Sequence, residues 1–457
     1  MDRPRPGPRR RARRWGGVLR LAAPLAGWIA LAAPAARAPA EVAASAPESP
    51  VIVATGAADP RLEPLDRLMT SFMAAHQVPG GALALARGGR LVYARGFGWA
   101  DVDAKEPVEP ASLFRIASVS KPLTAVAVLQ LVEQGRIGLQ DKVWDLLGVK
   151  PHLEPGAQVD PRLRQVTVRQ CLQHTGGWEA AKSFDPMFRP VEIARALGLA
   201  PPAGPADVIR YMFGRPLDFD PGARYAYSNF GYAVLGRVIE RVTGKPYEAY
   251  VRAAVLAPLG ITDMRIGRTL PSGRAPREVR YYDPLGRTGP AVVGGRLGEP
   301  VPLPYGAFYL EGFDAHGGWI ASAVDLVRFA AAFDAPDRCR LLGPEMIRVM
   351  FACPEGPAGH QADGSPRDAW YGCGWSVRPV GDKANHWHAG QVDGTASLLV
   401  RRHDGLAWAV LFNTHADRAG KPLVGLIDPL VHGAADAVRE WPDVDLFPRY
   451  LGPAAGK

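Results

Sequence analysis

The chain has 457 residues, of which 47% are hydrophobic and 22% are charged, and its formal net charge is +9. Residues 1–38 hold nine arginines and one aspartate, so the remainder of the chain carries only +1. The basic character belongs to the N-terminus, and no other stretch combines basic and aromatic residues, which argues against nucleic-acid binding.

The first 38 residues predict a secretory signal peptide. Seven arginines precede Trp15, an apolar stretch follows at 19–34, and Ala36-Arg37-Ala38 fits a cleavage site. An uncleaved anchor is the alternative, but Arg20 and two prolines interrupt the segment that would have to cross a bilayer. We therefore expect cleavage near Ala38, export to the periplasm or the medium, and no stable membrane anchor afterwards.

The rest of the chain divides into three parts by composition. Residues 39–60 are rich in Ala, Pro and Glu and predict a flexible lead-in, 61–440 a single domain, and 441–457 a tail. Cys171 fits a buried apolar position, whereas an exported protein allows a disulfide among the remaining three cysteines, Cys339, Cys353 and Cys373.

Local patterns predict strands near both ends of the domain and helices between them. The predicted elements, in chain order, are a helix at 62–73, a hairpin at 82–96 around Gly88-Gly89, helices at 123–132, 167–174 and 231–243, an irregular stretch at 271–315, a helix at 323–333, a hairpin at 396–413 around Asp404-Gly405, and a helix at 422–440 with Pro429 inside it. This order indicates an α+β fold: an antiparallel sheet from N- and C-terminal strands, flanked by helices, with a mostly helical insertion.

The first candidate for chemistry is Ser118, three residues before Lys121 at the start of an apolar helix. At this spacing both side chains lie on one face of a helix. A serine hydroxyl needs an adjacent base to become a nucleophile, and a lysine in apolar surroundings can be that base because burial disfavours its charged form. Alone, the pair is more commonly a helix cap followed by a solvated charge.

Two further motifs follow in the chain. Tyr227-Ser228-Asn229 is the only Tyr-x-Asn, and its phenol and amide suit proton transfer and orientation of a lysine. His388-Ala389-Gly390-Gln391 leads into the predicted C-terminal strands, where a glycine lets a substrate backbone approach a strand.

Taken together, these residues resemble the penicillin-recognising serine hydrolases, a family that includes class C β-lactamases, D-alanyl-D-alanine peptidases, D-aminopeptidases and esterases. The resemblance extends from about residue 60 to 440 and includes 116–122, 171–177 and 317–326. It implies a β-lactamase/transpeptidase-like fold with the site where the sheet meets the helical region, an acyl-enzyme intermediate, no metal and no cofactor.

The resemblance also assigns roles. Ser118 is the expected nucleophile, Lys121 and Tyr227 share proton transfer in a division left open, and Asn229 orients Lys121 and the substrate. The backbone N–H groups of Ser118 and Gln391, which follows Gly390, are expected to form the oxyanion hole. Tyr371, Trp375 and Trp387 either line an acyl pocket or pack in the core.

The chain departs from the β-lactamase pattern at His388, where those enzymes usually carry lysine. Histidine there is more like the esterase and peptidase relatives, so we expect an esterase-like hydrolase of small ester, amide or peptide substrates. A β-lactamase or D-alanyl-D-alanine carboxypeptidase remains the alternative, as does an inactive binding protein of the same fold. A metal site from His386 and His388 with His403 or His415 is disfavoured because no carboxylate or cysteine joins them. The oligomeric state is left open.

Overall fold

A nine-stranded antiparallel sheet forms the frame of the protein in a computed structural model that describes residues 52–450. The strands of the protein are β1 (Ala54–Thr55), β2 (Gly80–Arg87), β3 (Arg90–Asp101), β4 (Glu106–Pro107), β5 (Phe114–Arg115), β6 (Arg265–Ile266), β7 (Thr288–Pro290), β8 (Pro300–Pro302), β9 (Trp319–Ala321), β10 (Trp370–Tyr371), β11 (Ser376–Val380), β12 (Lys383–Val392), β13 (Thr395–Arg401) and β14 (Leu406–Phe412).

The helices lie mostly between the two groups of long strands. They are α1 (Glu63–His76), α2 (Ser120–Glu133), α3 (Val143–Leu147), α4 (Val168–Leu172), α5 (Pro190–Ala196), α6 (Pro205–Met212), α7 (Asn229–Thr243), α8 (Tyr247–Val251), α9 (Leu310–Gly317), α10 (Ala323–Ala331), α11 (Pro344–Phe351), α12 (Leu423–Asp436) and α13 (Phe447–Tyr450). This arrangement confirms the predicted α+β fold.

The sheet joins the two ends of the domain. Its order is β1-β3-β2-β14-β13-β12-β11-β10, with β4 paired to β3, so the N-terminal hairpin pairs directly with β14. Both predicted hairpins are confirmed by the antiparallel pairing of β2 with β3 and of β13 with β14. Gly88, Gly89 and Gly405 have the positive φ angles that tight turns need.

Alternating side chains place a separate core on each face of the sheet. On one face, strand residues such as Leu83 and Val410 pack against α1 and α12. On the other, alanines of β2 and Leu399 of β13 pack against α10, in a core that also includes α2 and α7. The alternation along β12 puts Trp387 and Ala389 on the face that packs against α1 and α12. His388 and Gly390 therefore point to the opposite face, which we call the helical face because most helices pack there.

The ends of the described range differ from the predicted lead-in and tail. Ala54 and Thr55 pair with the backbone of β3, and Phe447 is buried in the core where α13 contacts α10. The predicted signal peptide lies outside the described residues. Within 52–450, no helix has the length and apolar composition needed to cross a membrane.

The stretch at 271–315 is largely irregular, as predicted, but it is anchored. Arg115, which is 1% exposed, donates to the carbonyl oxygens of Pro304 at 2.6 Å and Arg268 at 2.8 Å. Its guanidinium also lies 4.2 Å from the centre of the Tyr281 ring. The residue that precedes the nucleophile motif therefore ties this long segment to the start of α2.

Candidate active site

Ser118 lies in a short 3₁₀ turn between β5 and α2, and this differs from the predicted first turn of an α-helix. The turn covers Ala117–Val119, and the α-helix begins at Ser120. Ala117 has a φ angle of 45°, in the left-handed region that costs a non-glycine residue on the order of 1 kcal/mol. Val119 and Ala117 are buried on either side, while Ser118 keeps partial access to solvent. The strained turn thus leaves the Ser118 side chain partly exposed to solvent.

Lys121 is fully buried beneath this hydroxyl. Its Nζ lies 3.0 Å from Ser118 Oγ, 2.8 Å from Asn229 Oδ1 and 2.9 Å from the carbonyl oxygen of His316, at the C-terminal end of α9. The two carbonyl oxygens can only accept hydrogen bonds. In the neutral amine they take up both N–H bonds, which leaves the lone pair for the hydroxyl proton of Ser118.

The surroundings favour that neutral amine. Burial lowers the pKa of Lys121 well below its usual range, and the negative charge of Asp185 partly opposes this effect. The ring of Tyr227 lies 4.7 Å from Nζ. Burial raises the pKa of Tyr227, so its phenol is protonated near neutral pH.

The Tyr-x-Asn motif reaches the lysine because it immediately precedes and begins α7. Ser228 caps the helix by accepting the N–H of Gly231 at 3.2 Å, which fixes Asn229 as the first helical residue. The Asn229 amide nitrogen donates to Asp185 Oδ2 at 2.7 Å, so its oxygen faces Lys121. Asp185 was not among the predicted site residues.

Strand β12 passes close to the serine at Gly390. A Cβ at this position would overlap the carbonyl oxygen of Ile116 and lie 3.0 Å from the Ser118 nitrogen, so only glycine fits. On the neighbouring strand, Ser397 donates to the same Ile116 carbonyl at 2.6 Å. Gln391 is exposed at the next position of β12. All three motifs therefore meet where the sheet contacts the start of α2.

His388 is 4% exposed on the helical face of β12. Its Nδ1 lies 2.7 Å from the carbonyl oxygen of Ala389, and its Nε2 lies 2.9 Å from the Tyr371 hydroxyl. Burial lowers the pKa of His388 to about 3. The imidazole ring is therefore neutral near neutral pH.

The Beta-lactamase family model matches residues 65–425, which is most of the chain and includes all three motifs. The chain belongs to the Beta-lactamase family. Esterase EstB of Burkholderia gladioli is 35% identical over 254 residues, which are 53% of this chain and 59% of the esterase. Penicillin-binding protein 4* of Bacillus subtilis is 27% identical over 346 residues, 74% of this chain and 69% of that protein.

Solved structures agree with this membership. D-amino acid amidase from Ochrobactrum anthropi, complexed with L-phenylalanine, has a TM-score of 0.61 and 25% identity, covering 83% of this chain and 99% of the amidase. This protein is accordingly a serine hydrolase of a family that contains esterases, penicillin-binding proteins and D-amino acid amidases.

The sequence did not predict that the His174 ring packs against the rings of Tyr227 and Tyr371 next to the site. His174, which is 1% exposed, has its ring centre 4.3 Å from that of Tyr227 and 4.4 Å from that of Tyr371. Its Nδ1 accepts the N–H of Ser228 at 3.1 Å. The histidine therefore holds the backbone and the ring of the Tyr-x-Asn motif in place. The segment 171–177 was noted for its resemblance, but its sequence carries no signal for this contact.

Two of the three aromatic candidates for an acyl pocket do not reach the site. Trp375 is fully buried against Phe329, and Trp387 packs on the opposite face of the sheet. Only Tyr371 reaches the site, through its hydrogen bond to His388.

All four cysteines are free thiols.

The histidines weighed as metal ligands have other partners. His386 Nδ1 faces Arg401 at 3.4 Å, and His403 Nδ1 faces the Asn385 side chain at 3.0 Å. Among residues 52–450, one group of three candidate ligands converges, namely Asp283, Asp393 and His415. The guanidinium of Arg287 already lies 2.6 Å from Asp283 and 3.1 Å from His415, so a cation occupies this group.

Proposed function

We propose that this protein is an exported hydrolase that forms an acyl-enzyme on Ser118 and prefers uncharged ester substrates. The observation that carries the proposal is the placement of Lys121 Nζ, held by two carbonyl oxygens and directed at Ser118 Oγ. This is the arrangement that a lysine general base requires.

In the proposed acylation, Lys121 accepts the Ser118 proton as Oγ bonds to the ester carbonyl carbon. The carbonyl oxygen becomes an oxyanion, which the N–H groups of Ser118 and Gln391 stabilise; one such donor is typically worth about 10²–10³-fold in rate. The C–O bond to the leaving alcohol then breaks, and the alkoxide takes a proton either from the Lys121 ammonium directly or from the Tyr227 phenol, which the ammonium then reprotonates, so the lysine amine is neutral again. Water repeats these steps on the acyl-enzyme, with Lys121 again as base, and releases the acid.

The raised pKa of Tyr227 supports giving the base role to Lys121 and a donor role to the phenol. The neutral ring of His388 supports the ester preference. β-Lactams and peptide C-termini carry a carboxylate, for which a charged side chain is the stronger partner, and His388 offers none. The similarity to Esterase EstB points the same way.

Hydrolysis of D-amino acid amides is the second candidate, favoured by the likeness to D-amino acid amidase. Such amides also lack a carboxylate, so the site does not exclude them. The leaving amine is harder to expel than an alcohol, which makes protonation by Tyr227 more important for this substrate.

The test is a comparison of kcat/KM on one preparation for p-nitrophenyl butyrate, D-phenylalanine amide, a D-Ala-D-Ala peptide and a chromogenic cephalosporin. We expect the ester to exceed the cephalosporin by at least about 100-fold, and Ser118→Ala to lose about 10⁴-fold or more. A fluorophosphonate should label wild type at Ser118. Labelling that persists in Ser118→Ala, or a cephalosporin turned over as fast as the ester, contradicts the proposal.

Export is proposed from residues 1–38 alone. N-terminal sequencing of the protein from its native host should find a chain that begins at or near Pro39, outside the cytoplasm. A soluble cytoplasmic form that retains the arginine-rich start would contradict it.

A further inference from the structure

Asp185 is a carboxylate that neither the motifs nor the family resemblance brought forward. It caps a 3₁₀ turn, Pro186–Phe188, by accepting the N–H of Met187 at 3.0 Å with Oδ1. Its second oxygen accepts the amide N–H of Asn229 at 2.7 Å, 44 residues away in the chain. Neither of these donors carries a charge, although burying a carboxylate is costly. Capping the turn needs only one carboxylate oxygen, and the second oxygen of Asp185 binds Asn229.

The orientation of the Asn229 amide depends on this contact. Burial raises the pKa of Asp185 above its ordinary value, and the hydrogen bond from Asn229 opposes this effect. Once ionised, the carboxylate only accepts hydrogen bonds, so it must face the amide nitrogen. The amide oxygen then points to Lys121 Nζ, at 2.8 Å. If the amide turned over, its nitrogen would face the lysine, whose lone pair would then be drawn away from Ser118.

We propose that Asp185 is a positioning residue for acylation of Ser118, acting through the amide of Asn229 to hold the Lys121 amine against the serine hydroxyl. This inference rests on the proposed function, in which Lys121 is the base. It assigns a long-range partner to the Tyr-x-Asn motif and makes the loop before α5 part of the catalytic apparatus.

A second effect follows from the negative charge of Asp185. The other titratable groups around Lys121 are held in their neutral forms by burial; they are Tyr227, Tyr232, His174, His316 and His388. Asp185 is the one group whose charge raises the pKa of Lys121, against the larger effect of burial. Removing that charge while keeping an acceptor should let the lysine lose its proton at lower pH.

Two substitutions separate orientation from charge. Asp185→Asn can still present an oxygen to Asn229 but has no charge, whereas Asp185→Leu presents no acceptor. The matched control is Asp160→Asn, because Asp160 caps the 3₁₀ turn Pro161–Gln165 through a backbone N–H in the same Asp-Pro context and is not part of the site. The readout is the rate of Ser118 labelling by a fluorophosphonate from pH 4.5 to 9, with the melting temperature measured in parallel.

We expect Asp185→Leu to lower the labelling rate at its plateau by about 10- to 100-fold. Asp185→Asn should stay within about fivefold of wild type at the plateau, with the acid limb moved down by roughly one pH unit. Asp160→Asn should change the melting temperature without moving the limb. Wild-type rates and an unmoved limb in both Asp185 variants would overturn the inference, as would rate losses that only follow the melting temperature in all three. A wild type that is not labelled at Ser118 would overturn the proposed function, and this inference with it.

Discussion

Tyr371 and His388 are joined by a 2.9 Å hydrogen bond in which the phenol donates to Nε2 of the imidazole. The direction follows from the other ring nitrogen, because Nδ1 lies 2.7 Å from the carbonyl oxygen of Ala389, which can only accept. Nδ1 therefore carries the ring proton. Both nitrogens are engaged within the protein, and the position that carries lysine in β-lactamases supplies neither charge nor a free donor to a substrate.

A charged side chain at this position should change which substrates are preferred. We expect His388→Lys to raise the ratio of kcat/KM for a cephalosporin to kcat/KM for a p-nitrophenyl ester by roughly tenfold. This is the effect expected from one charge-assisted contact with the substrate carboxylate. Using a ratio cancels general damage to the site. His388→Gln is the neutral control and should leave the ratio within about twofold. An unmoved ratio in His388→Lys would mean that this position does not interact with substrate charge.

The dependence of activity on pH should follow Lys121. Because the neutral amine is the proposed base, kcat/KM for an ester should rise with pH as Lys121 loses its proton and then stay level. Burial lowers the pKa of Lys121 well below its usual range, so the level region should include neutral pH. The pKa of His388 is lowered to about 3, and His388 should add no inflection between pH 5 and 8. A rate that still rises tenfold per unit between pH 8 and 9 would contradict a neutral lysine.

The close approach of Gly390 to Ser118 gives a steric prediction. Gly390→Ala should lower kcat by about 100-fold or more, because the added methyl group must displace either the Ile116 carbonyl or the Ser118 N–H that is proposed to bind the oxyanion. Gly425→Ala is the matched control, since a Cβ there meets nothing within 4 Å and lies in α12, away from the site. Equal activity in the two variants would show that the close approach of Gly390 to Ser118 does not shape the oxyanion hole.

Patterns of local origin were sufficient to predict much of this protein. The predicted helix at 62–73 is confirmed as α1, the helix at 231–243 as most of α7, and the hairpins by the pairing of β2 with β3 and of β13 with β14. Each depends on periodicity or turn chemistry within a few residues, where the backbone has few alternatives. That the three motifs meet where the sheet contacts the helices was implied by the family resemblance and by no local pattern.

The contacts that complete the site could not be predicted in this way. Asp185 lies 44 residues before Asn229, and Tyr371 lies 17 residues before His388. Only the folded chain brings the two members of each pair within hydrogen-bonding distance. Asp185 caps the turn that follows it, but no sequence pattern indicates what the second oxygen of its carboxylate binds. The left-handed φ of Ala117 was likewise invisible, because alanine is not a residue that marks such a turn.

Buried neutral histidines should make this protein sensitive to acid. Burial lowers the pKa of His316 well below its ordinary value, and its Nε2 has no hydrogen-bond partner in the described residues. The unfolded chain binds a proton near pH 6.5, whereas the folded protein does not until much lower pH. The contribution to stability is therefore complete above about pH 6.5 and is lost as the pH falls, by about 1.4 kcal/mol per unit for one such group.

His316→Phe isolates this contribution. The substitution keeps the backbone carbonyl that binds Lys121 and places an apolar ring in an apolar setting, 4.8 Å from the Phe313 ring in wild type. Between pH 6.5 and 5, we expect the free energy of unfolding from urea titrations to fall less steeply in the variant, by about 1.4 kcal/mol per pH unit. Phe313→Leu should weaken the same packing at every pH and leave the slope unchanged. Parallel curves for wild type and His316→Phe would show that His316 gains its proton at the same pH in the folded protein as in the unfolded chain. The claim that His316 is neutral beside Lys121 would then be wrong.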